Sequence, residues 1–382
     1  MLRKIVMILI MVFSSVIMGC ERMQVPLIPV KGTLKVGVLQ PPSYYPSYTK
    51  GVELAQAEIN QSGGILGMDV ALVQRDERTD TFAETLTEFV EVEKVVGLIG
   101  PVFSSHAVRI APDLQLPILA GATDANRVTQ TNDFIFLVGG SNALHAQHIA
   151  QFAVSQLRSQ TAAMVWQADD VYSMGLVDAF DVRFQELSGD IVGRHTYQVG
   201  ATTFTEQLTS IHALQPDVVF LASFPPEVPL FIEAARDMGI ESVFIGGDGM
   251  EDPENMLGTL TDNTPLEGTY YTTNLDLTSD NPNIRQFTDA YQSEYGETPD
   301  GVAASGYDAL HLLKVAIEAA GTTEPVAVRD ALAKVTNYSG ATYIANFDVN
   351  RHPVKGVGIM KIENGMIAPH TFVSQDAPNA SE

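Results

Sequence analysis

The chain has 382 residues, a formal net charge of −24 and a single cysteine. Because so acidic a protein repels the phosphates of DNA and RNA, its composition excludes nucleic-acid binding. One cysteine cannot form an internal disulfide, and a chain of this length is better suited to two domains than to one.

The first predicted element in chain order is an export signal over residues 1–19. Two basic residues, Arg3 and Lys4, precede an apolar run from Ile5 to Phe13, which is the layout of a secretory signal peptide. The apolar part, about 15 residues even when it is extended to residue 19, is shorter than the roughly 20 residues that span a bilayer as a helix. A membrane-spanning anchor is therefore the less favoured alternative.

The only cysteine lies at the end of this signal. Residues 17–20 read IMGC and resemble the lipobox of bacterial lipoproteins, in which the cysteine becomes acylated and begins the mature chain. Several acyl chains on Cys20 would anchor the protein stably at a membrane. Residues 20–32, with prolines and no periodic pattern, are then a lipidated tether. The final residues, 374–382, are predicted to be a disordered tail.

From Thr33 onward, predicted strands and helices alternate. Short apolar runs predict buried parallel strands over residues 34–39, 69–73, 95–100, 162–166, 217–222 and 242–247. Between them, apolar residues recur at helical spacing, as in Phe82, Leu86 and Phe89. The alternation predicts an α/β fold with doubly wound parallel sheets, in blocks at 33–140 and 141–268 with a helix-rich region at 269–345.

A possible nucleophile is the best argument for an enzyme. Residues 139–143, GGSNA, approximate the G-x-S-x-G turn of hydrolases, with Ser141 as the nucleophile and His311 or His352 as a partner. The alternative is that the glycines let the chain turn and Ser141 caps the next helix. Dinucleotide, P-loop and zinc-protease motifs do not occur in the sequence. We therefore predict a protein that is not an enzyme and uses no cofactor.

Metal-ligating patterns are equally sparse. His145 and His148 are three residues apart on a predicted helix, but two ligands without a third are typical of a solvated polar face. The acidic stretch that contains Asp248, Glu251 and Asp252 lacks the EF-hand spacing. We predict no metal site and interpret this stretch, with the exception of Asp248, as a solvated loop.

The loops after the strands carry the remaining chemistry, because ligands of open parallel sheets bind beyond the carboxyl ends of the strands. In the first block, Ser104 or Ser105 begins a predicted helix, where free N–H groups suit a carboxylate; the alternative is an ordinary capping serine. Thr123 lies in the next such loop, and Asp248, in the second block, suits an ammonium group. Two aromatic residues, Tyr44 and Tyr172, are candidates for the walls of the ligand site, since a tyrosine ring also attracts cations. Together these groups would hold an α-amino acid.

Several segments, in this order, resemble the type I periplasmic solute-binding proteins of ABC importers, of the leucine/isoleucine/valine-binding kind. They cover residues 33–370 and include KGVELAQAEINQSGGILG, RDERTD, GPVFSS, YSMG, QPDVVFL, AARDMGI and GYDAL. The resemblance implies two Rossmann-like lobes that close around a ligand and are joined by three crossover hinges. The hinges are expected near residues 139–141, 267–271 and 347–351. Lobe I would comprise 33–140 and 270–346, and lobe II 141–269 and 347–373.

The resemblance also implies a set of binding residues. Ser104, Gly121 and Thr123 match positions that grip the carboxylate of the ligand, and Asp248 matches the position that binds its amine. The matching aromatic residues are Tyr44, with Tyr45 as the alternative because the loop length differs, Tyr172 and Phe224.

The chain departs from the leucine-type pattern at positions that affect the ligand. That pattern has Glu in place of Asp248, Tyr in place of Phe224 and a disulfide-bonded Cys in place of Phe103. The missing tyrosine hydroxyl removes one hydrogen bond, and the shorter Asp leaves more room for the ligand.

The resemblance implies a lipid-anchored protein of the cell envelope that captures an amino acid, of the branched-chain type or a related small molecule. Its expected partners are this ligand, the permease of an ABC importer and the membrane that carries the lipid, and the protein itself is expected to be a monomer. The alternative is a ligand-sensing or envelope-regulatory lipoprotein with the same fold. Such a regulator could bind its partner with or without a small molecule.

Overall fold

The computed structural model describes residues 32–373. The predicted export signal, Cys20, most of the tether and the predicted tail therefore lie outside the described residues. Parallel strands alternate with helices along the described chain, so the predicted α/β class is confirmed. None of the helices within residues 32–373 has both the length and the apolar character that a membrane crossing requires.

The first sheet is parallel throughout. Its strands are β1 (Thr33–Gln40), β2 (Asp69–Asp76), β3 (Leu98–Ile99), β4 (Ile118–Ala120) and β5 (Ile135–Leu137). Their spatial order is β2-β1-β3-β4-β5, so the winding direction reverses beside β1. The connecting helices are α1 (Pro46–Gln61), α2 (Phe82–Thr87), which continues as a π-helical segment over Glu88–Glu93, α3 (Ser104–Ala107) and α4 (Ala125–Val128).

The second sheet follows after α5 (Asn142–Ser155). Its parallel strands are β6 (Thr161–Gln167), β7 (Asp190–Tyr197), β8 (Val218–Ala222), β9 (Val243–Gly246) and β10 (Tyr270–Thr273). The helices between them are α6 (Val171–Glu186), α7 (Thr205–Leu214), α8 (Glu227–Asp237) and α9 (Pro253–Gly258), together with 3₁₀ turns at Asp248–Met250 and Thr264–Leu266.

The rest of the chain adds three helices, a small third sheet and two further strands of the second sheet. The helices α10 (Pro282–Tyr295), α11 (Gly301–Ala320) and α12 (Pro325–Leu332) are followed by a small antiparallel sheet of β11 (Thr336–Ser339), β12 (Tyr343–Phe347) and β13 (Pro353–Lys355). Antiparallel strands β14 (Val357–Glu363) and β15 (Met366–Val373) then extend the second sheet, whose order is β15-β14-β10-β9-β8-β6-β7.

Lobe I denotes the first sheet and the helices packed on it, and lobe II denotes the second sheet with its helices. The predicted apolar stripe of Phe82, Leu86 and Phe89 is buried against one face of the first sheet. On the other face, α11 packs on α1 so closely that a Cβ atom on Gly51 would lie 2.0 Å from the carbonyl oxygen of Ala303. A glycine is therefore required at position 51, and the close approach fixes the start of α11 beside the ends of the strands.

The crossovers between the lobes differ in part from the prediction. The first follows β5 and lies near Gly140, as expected. The predicted division places Tyr270–Thr273 in lobe I, but β10 pairs with β9 and β14 and so belongs to the second sheet. Similarly, β13 pairs with β12, and the backbone of Leu137 donates to Arg351 (3.2 Å), so the chain stays with lobe I until Gly356. Both later crossovers therefore come after the predicted positions.

Ser141 and the paired histidines have structural roles. The Ser141 hydroxyl accepts the N–H of Leu144 (3.2 Å) and caps α5, in agreement with the alternative to the hydrolase motif. His145 Nδ1 lies 2.8 Å from the hydroxyl of Thr272, whereas His148 Nδ1 lies 2.9 Å from the carbonyl of Leu144. Over the described part of the chain, no group of three or more His, Cys, Asp or Glu side chains is arranged to hold a metal ion.

Candidate ligand-binding site

A narrow cavity of about 40 Å³ lies between the lobes, at the carboxyl ends of the parallel strands. This is the place where an open parallel sheet presents its loops to a ligand. Lobe I contributes the predicted residues Ser104, Gly121 and Thr123, and lobe II contributes Tyr172, Phe224 and Asp248. Of the predicted binding residues, Tyr44 alone does not line the cavity.

Tyr45, the alternative to Tyr44, lines the cavity, and Tyr44 does not. Tyr45 directly precedes α1 and is 4% exposed, because it points inward on the same side as Tyr48 one turn later. The centroid of the Tyr44 ring lies 4.1 Å from the guanidinium carbon of Arg78, and the ring meets Phe103 edge to face at 5.9 Å. The backbone N–H groups of both tyrosines donate to the carbonyl of Pro41, and the resulting tight turn separates the two side chains.

We call Ser104, Gly121 and Thr123 the hydroxyl wall. The Ser104 hydroxyl is buried and accepts the N–H of Asp124 (3.1 Å), and the N–H of Gly121 donates to Pro101 (3.0 Å). These bonds tie the loop after β3 to the loop after β4. The interpretation of Ser104 or Ser105 as a capping serine was wrong, because Phe103 precedes α3 and no side chain caps that helix.

Glu77, which the sequence did not single out, holds the backbone behind the hydroxyl wall. Its carboxylate is fully buried and accepts the N–H groups of Val102 (2.7 Å) and Phe103 (2.9 Å), with His106 Nδ1 at 3.2 Å. Burial raises the pKa of Glu77, while the hydrogen bond from His106 and those from the backbone lower it. The loop before Ser104 is therefore fixed by charge-assisted hydrogen bonds.

We call Tyr172, Asp248, Gly249 and Glu251 the acidic wall. Asp248 begins the 3₁₀ turn after β9 and accepts the hydroxyl of Tyr172 (3.0 Å) on Oδ1. Oδ2 lies 3.4 Å from His145 Nε2, but burial lowers the pKa of that histidine, so the imidazole is neutral near pH 7. Within the described part of the chain, the Asp248 carboxylate therefore faces the cavity without an ion pair to a charged side chain.

Hydrogen bonds and ring contacts hold the two lobes together around the cavity. The N–H of Gly249 donates to the Tyr172 hydroxyl (2.8 Å), and the Tyr45 hydroxyl of lobe I donates to the Gly249 carbonyl of lobe II (2.9 Å). A Cβ atom on Gly249 would lie 2.8 Å from the Tyr172 ring, so this close approach requires glycine. The Phe103 ring of lobe I meets Phe224 of lobe II edge to face at 5.5 Å. The cleft between the lobes is thus closed.

Glu251 was predicted to lie in a solvated loop, and this was wrong. The residue is 2% exposed and lines the cavity, and Asp252 beside it is also buried. Glu251 Oε1 accepts the N–H of Gly301 (2.7 Å) and the hydroxyl of Thr273. The spacing from Asp248 is the signal that could have found it, because residues three apart in a 3₁₀ turn lie on the same side.

Asn274 and Ser305 also line the cavity and were missed. Asn274 lies at the second crossover, and its Oδ1 accepts the N–H of Gly140 at the first crossover (2.8 Å). The Ser305 hydroxyl donates back to the Gly301 carbonyl within α11 (2.8 Å). Asn274 follows β10, which the sequence analysis did not predict as a strand, and Ser305 lies within α11, so a search of the loops after predicted strands could not find either residue.

The family model for periplasmic binding proteins matches residues 33–366. The chain belongs to the periplasmic binding protein family. The Leu/Ile/Val-binding protein BraC3 of Rhizobium johnstonii is 27% identical to it over 294 residues, which are 74% of this chain and 77% of that protein.

Solved structures show the same relationship. The leucine-binding protein LivK of Thermotoga maritima has a TM-score of 0.83 at 27% identity, over 90% of this chain and 99% of that chain. The branched-chain amino acid transporter substrate-binding protein LivJ of Streptococcus pneumoniae, solved in complex with isoleucine, has a TM-score of 0.80 at 26% identity, over 90% and 99% of the two chains.

These similarities confirm the predicted resemblance and the two-lobed type I fold. Members of the family are solute-binding proteins rather than enzymes, and membership implies a location in the periplasm or cell envelope.

Proposed function

We propose that this protein captures an amino acid between its lobes and delivers it to an ABC importer. The observation that carries the proposal is the charge of Asp248, which faces a cavity whose opposite side is the hydroxyl wall. A zwitterion has a matching pair of groups: its ammonium suits the carboxylate, and its carboxylate suits hydroxyl and N–H donors. The names of the relatives, which refer to leucine, isoleucine and valine, support the same ligand class.

The closed cleft supplies the mechanism of capture. Tyr45 and Gly249 bond across the lobes, and so do Glu251 and Gly301. A ligand that contacts both lobes shifts the population toward the closed state by its differential affinity for that state. Delivery follows when the closed form docks on the permease and reopens there. No covalent bond is made or broken in this cycle.

The anchor is part of the proposal. Lipidation of Cys20 would keep the protein near the membrane and hence near the permease, with residues 20–32 as the tether. Changing Cys20 to Ser should release the protein from the membrane fraction and remove the mass of the acyl chains. An intact-mass measurement of the wild-type protein that shows an unmodified Cys20 would contradict this part.

The test of ligand capture is a calorimetric titration of the purified protein with each of the twenty amino acids and their amides. We expect at least one amino acid to bind at one site per chain and its amide to bind much more weakly, because the amide lacks the carboxylate that meets the hydroxyl wall. If no amino acid binds to the folded protein, the proposal fails, and a regulator with the same fold becomes the better interpretation.

A further inference from the structure

Glu251 occupies an unusual position in the cavity. Its Oε1 is held by Gly301 and Thr273, but its Oε2 is buried without a hydrogen-bond partner among the described residues. A buried acceptor without a donor is costly, and a buried charge without a partner is more so. Glu251 is 2% exposed, so water does not solvate it from the surface.

The cavity offers no cation to this carboxylate. Within the described chain, its lining side chains include Asp248 and Glu251 but no lysine, arginine or histidine. Lys355 acts on both carboxylates electrostatically, yet its ammonium group donates to the Val138 carbonyl and the Thr342 hydroxyl, each at 3.0 Å. A ligand with a single ammonium group at Asp248 would leave Glu251 Oε2 without a donor from the ligand.

We infer that Glu251 is a specificity-determining residue that selects amino acids with a second ammonium group in the side chain. This inference rests on the proposed function: the α-ammonium meets Asp248, the α-carboxylate meets the hydroxyl wall, and the second ammonium donates to Glu251 Oε2. The polar residues Asn274 and Ser305 on the same side of the cavity are consistent with a polar ligand side chain.

Proton release from Glu251 would be a second sign that a diamino acid has bound beside it. Burial raises its pKa well above the usual range, and the carboxylates of Asp300 and Asp248 raise it further, while the bonds from Thr273 and Gly301 lower it. An ammonium group beside Glu251 favours its ionised form. Binding of a diamino acid should therefore release protons from Glu251 to the buffer, whereas binding of a monoamino acid should not.

The experiment compares ligands of equal length in calorimetric titrations of the purified protein. The pairs are 2,4-diaminobutyrate with norvaline and ornithine with norleucine, in which an ammonium group replaces a terminal methyl group. In wild-type protein, the diamino member of at least one pair should bind at least 10-fold more tightly. Titrations in phosphate and Tris buffers, which differ in ionisation enthalpy, measure the proton release.

The matched variants are Glu251→Gln and Glu254→Gln. Residue 254 is exposed and lies three positions further on, in the first turn of α9, so it controls for the same substitution outside the cavity. Glu251→Gln should abolish the preference for the diamino acid and the proton release. Glu254→Gln should behave as the wild type. Thermal unfolding verifies that each variant is folded.

The outcomes separate the two proposals. Equal or tighter binding of the monoamino acids to wild-type protein, unaffected by Glu251→Gln, would overturn the selection by Glu251 and leave amino-acid capture intact. A preference for diamino acids that survives in Glu251→Gln would also overturn it. If none of the four ligands and none of the twenty amino acids binds, both proposals fail.

Discussion

The hydroxyl wall and the acidic wall use carboxylates in opposite ways. Behind the hydroxyl wall, Glu77 turns away from the cavity, and both of its oxygens accept backbone N–H groups. On the acidic wall, Asp248 accepts a tyrosine hydroxyl, and Glu251 keeps one oxygen without a partner in the part of the chain that the structure describes. The carboxylate of lobe I is thus part of the scaffold, while those of lobe II face the cavity.

The difference shows that the surrounding donors decide what a buried carboxylate does. Where two backbone N–H groups converge, as at Val102 and Phe103, the charge is already satisfied and the residue fixes a loop. Asp248 accepts a side-chain hydroxyl instead, and the proposed function assigns the ammonium group of a ligand to its carboxylate. Burial alone does not distinguish the two cases, because Glu77 and Glu251 are both almost fully buried.

The largest expected effect is at Asp248. Asp248→Ala should weaken binding of an amino acid by about 3 kcal/mol, because it removes the partner of a buried ammonium group. Calorimetry measures the dissociation constant, and Glu254→Gln serves as the control for the loss of a nearby exposed carboxylate. Unchanged affinity would mean that the acidic wall does not bind the amine.

Glu77 should affect the scaffold as well as the site. In Glu77→Gln, the side-chain amide N–H₂ replaces one of the two acceptor oxygens and faces a backbone N–H group, so two donors meet and one hydrogen bond is lost. The free energy of unfolding should therefore fall by about 2 kcal/mol. Chemical denaturation measures this loss. Glu84→Gln, on the exposed side of α2, should leave the stability unchanged. If the Glu77→Gln protein is as stable as the wild type, Glu77 does not stabilise the loop behind the hydroxyl wall, and the contrast with the carboxylates of the acidic wall fails.

The pKa of the buried Lys355 should make the stability of the protein depend on pH. Burial lowers the pKa of Lys355 to about 8, although Asp308, Glu251 and Asp248 raise it. The unfolded chain, with an ordinary lysine pKa of about 10.4, binds more protons than the folded protein between these values, so Lys355 makes stability rise with pH in this window.

This rise should amount to about 2 kcal/mol between pH 8 and pH 10 and should be missing in Lys355→Met. Denaturation at each pH gives the difference between the two proteins. Parallel curves for wild type and variant would show that Lys355 titrates as an ordinary exposed lysine.

The smallest expected effect concerns the contact between the lobes. Tyr45→Phe removes the hydroxyl that donates to Gly249, which should cost about 1 kcal/mol of ligand affinity, or roughly 5-fold. Tyr44→Phe is the matched control, since its ring lies outside the cavity wall. If the two variants bind the ligand equally well, the bond across the lobes does not contribute to closure.

The sequence predicted those features that depend on nearby residues. The apolar runs of the strands and the stripe through Phe82 follow from local periodicity, and Ser104 and Asp248 were found because they come directly after buried strands. Tyr45 could not be distinguished from Tyr44, because the choice depends on where the turn at Pro41 ends and α1 begins.

The features that the sequence missed depend on distant partners. Glu251 is buried because the N–H of Gly301, fifty positions later, docks on its carboxylate. Likewise, β10 belongs to the second sheet because Tyr270 pairs with Lys361 near the end of the described chain. Local patterns carry no information about such contacts, so the acidic loop looked solvated and the second crossover was placed too early.

The most direct test of the account compares norvaline with butylamine, which lacks its carboxylate, and with pentanoate, which lacks its amine. Thermal unfolding of the protein is measured with each compound. We predict that the amino acid stabilises the protein, by about 2.7 kcal/mol at 100 times its dissociation constant, and that neither fragment does so at the same concentration. Equal stabilisation by pentanoate or by butylamine would contradict the claim that opposite walls bind the two ends of the ligand.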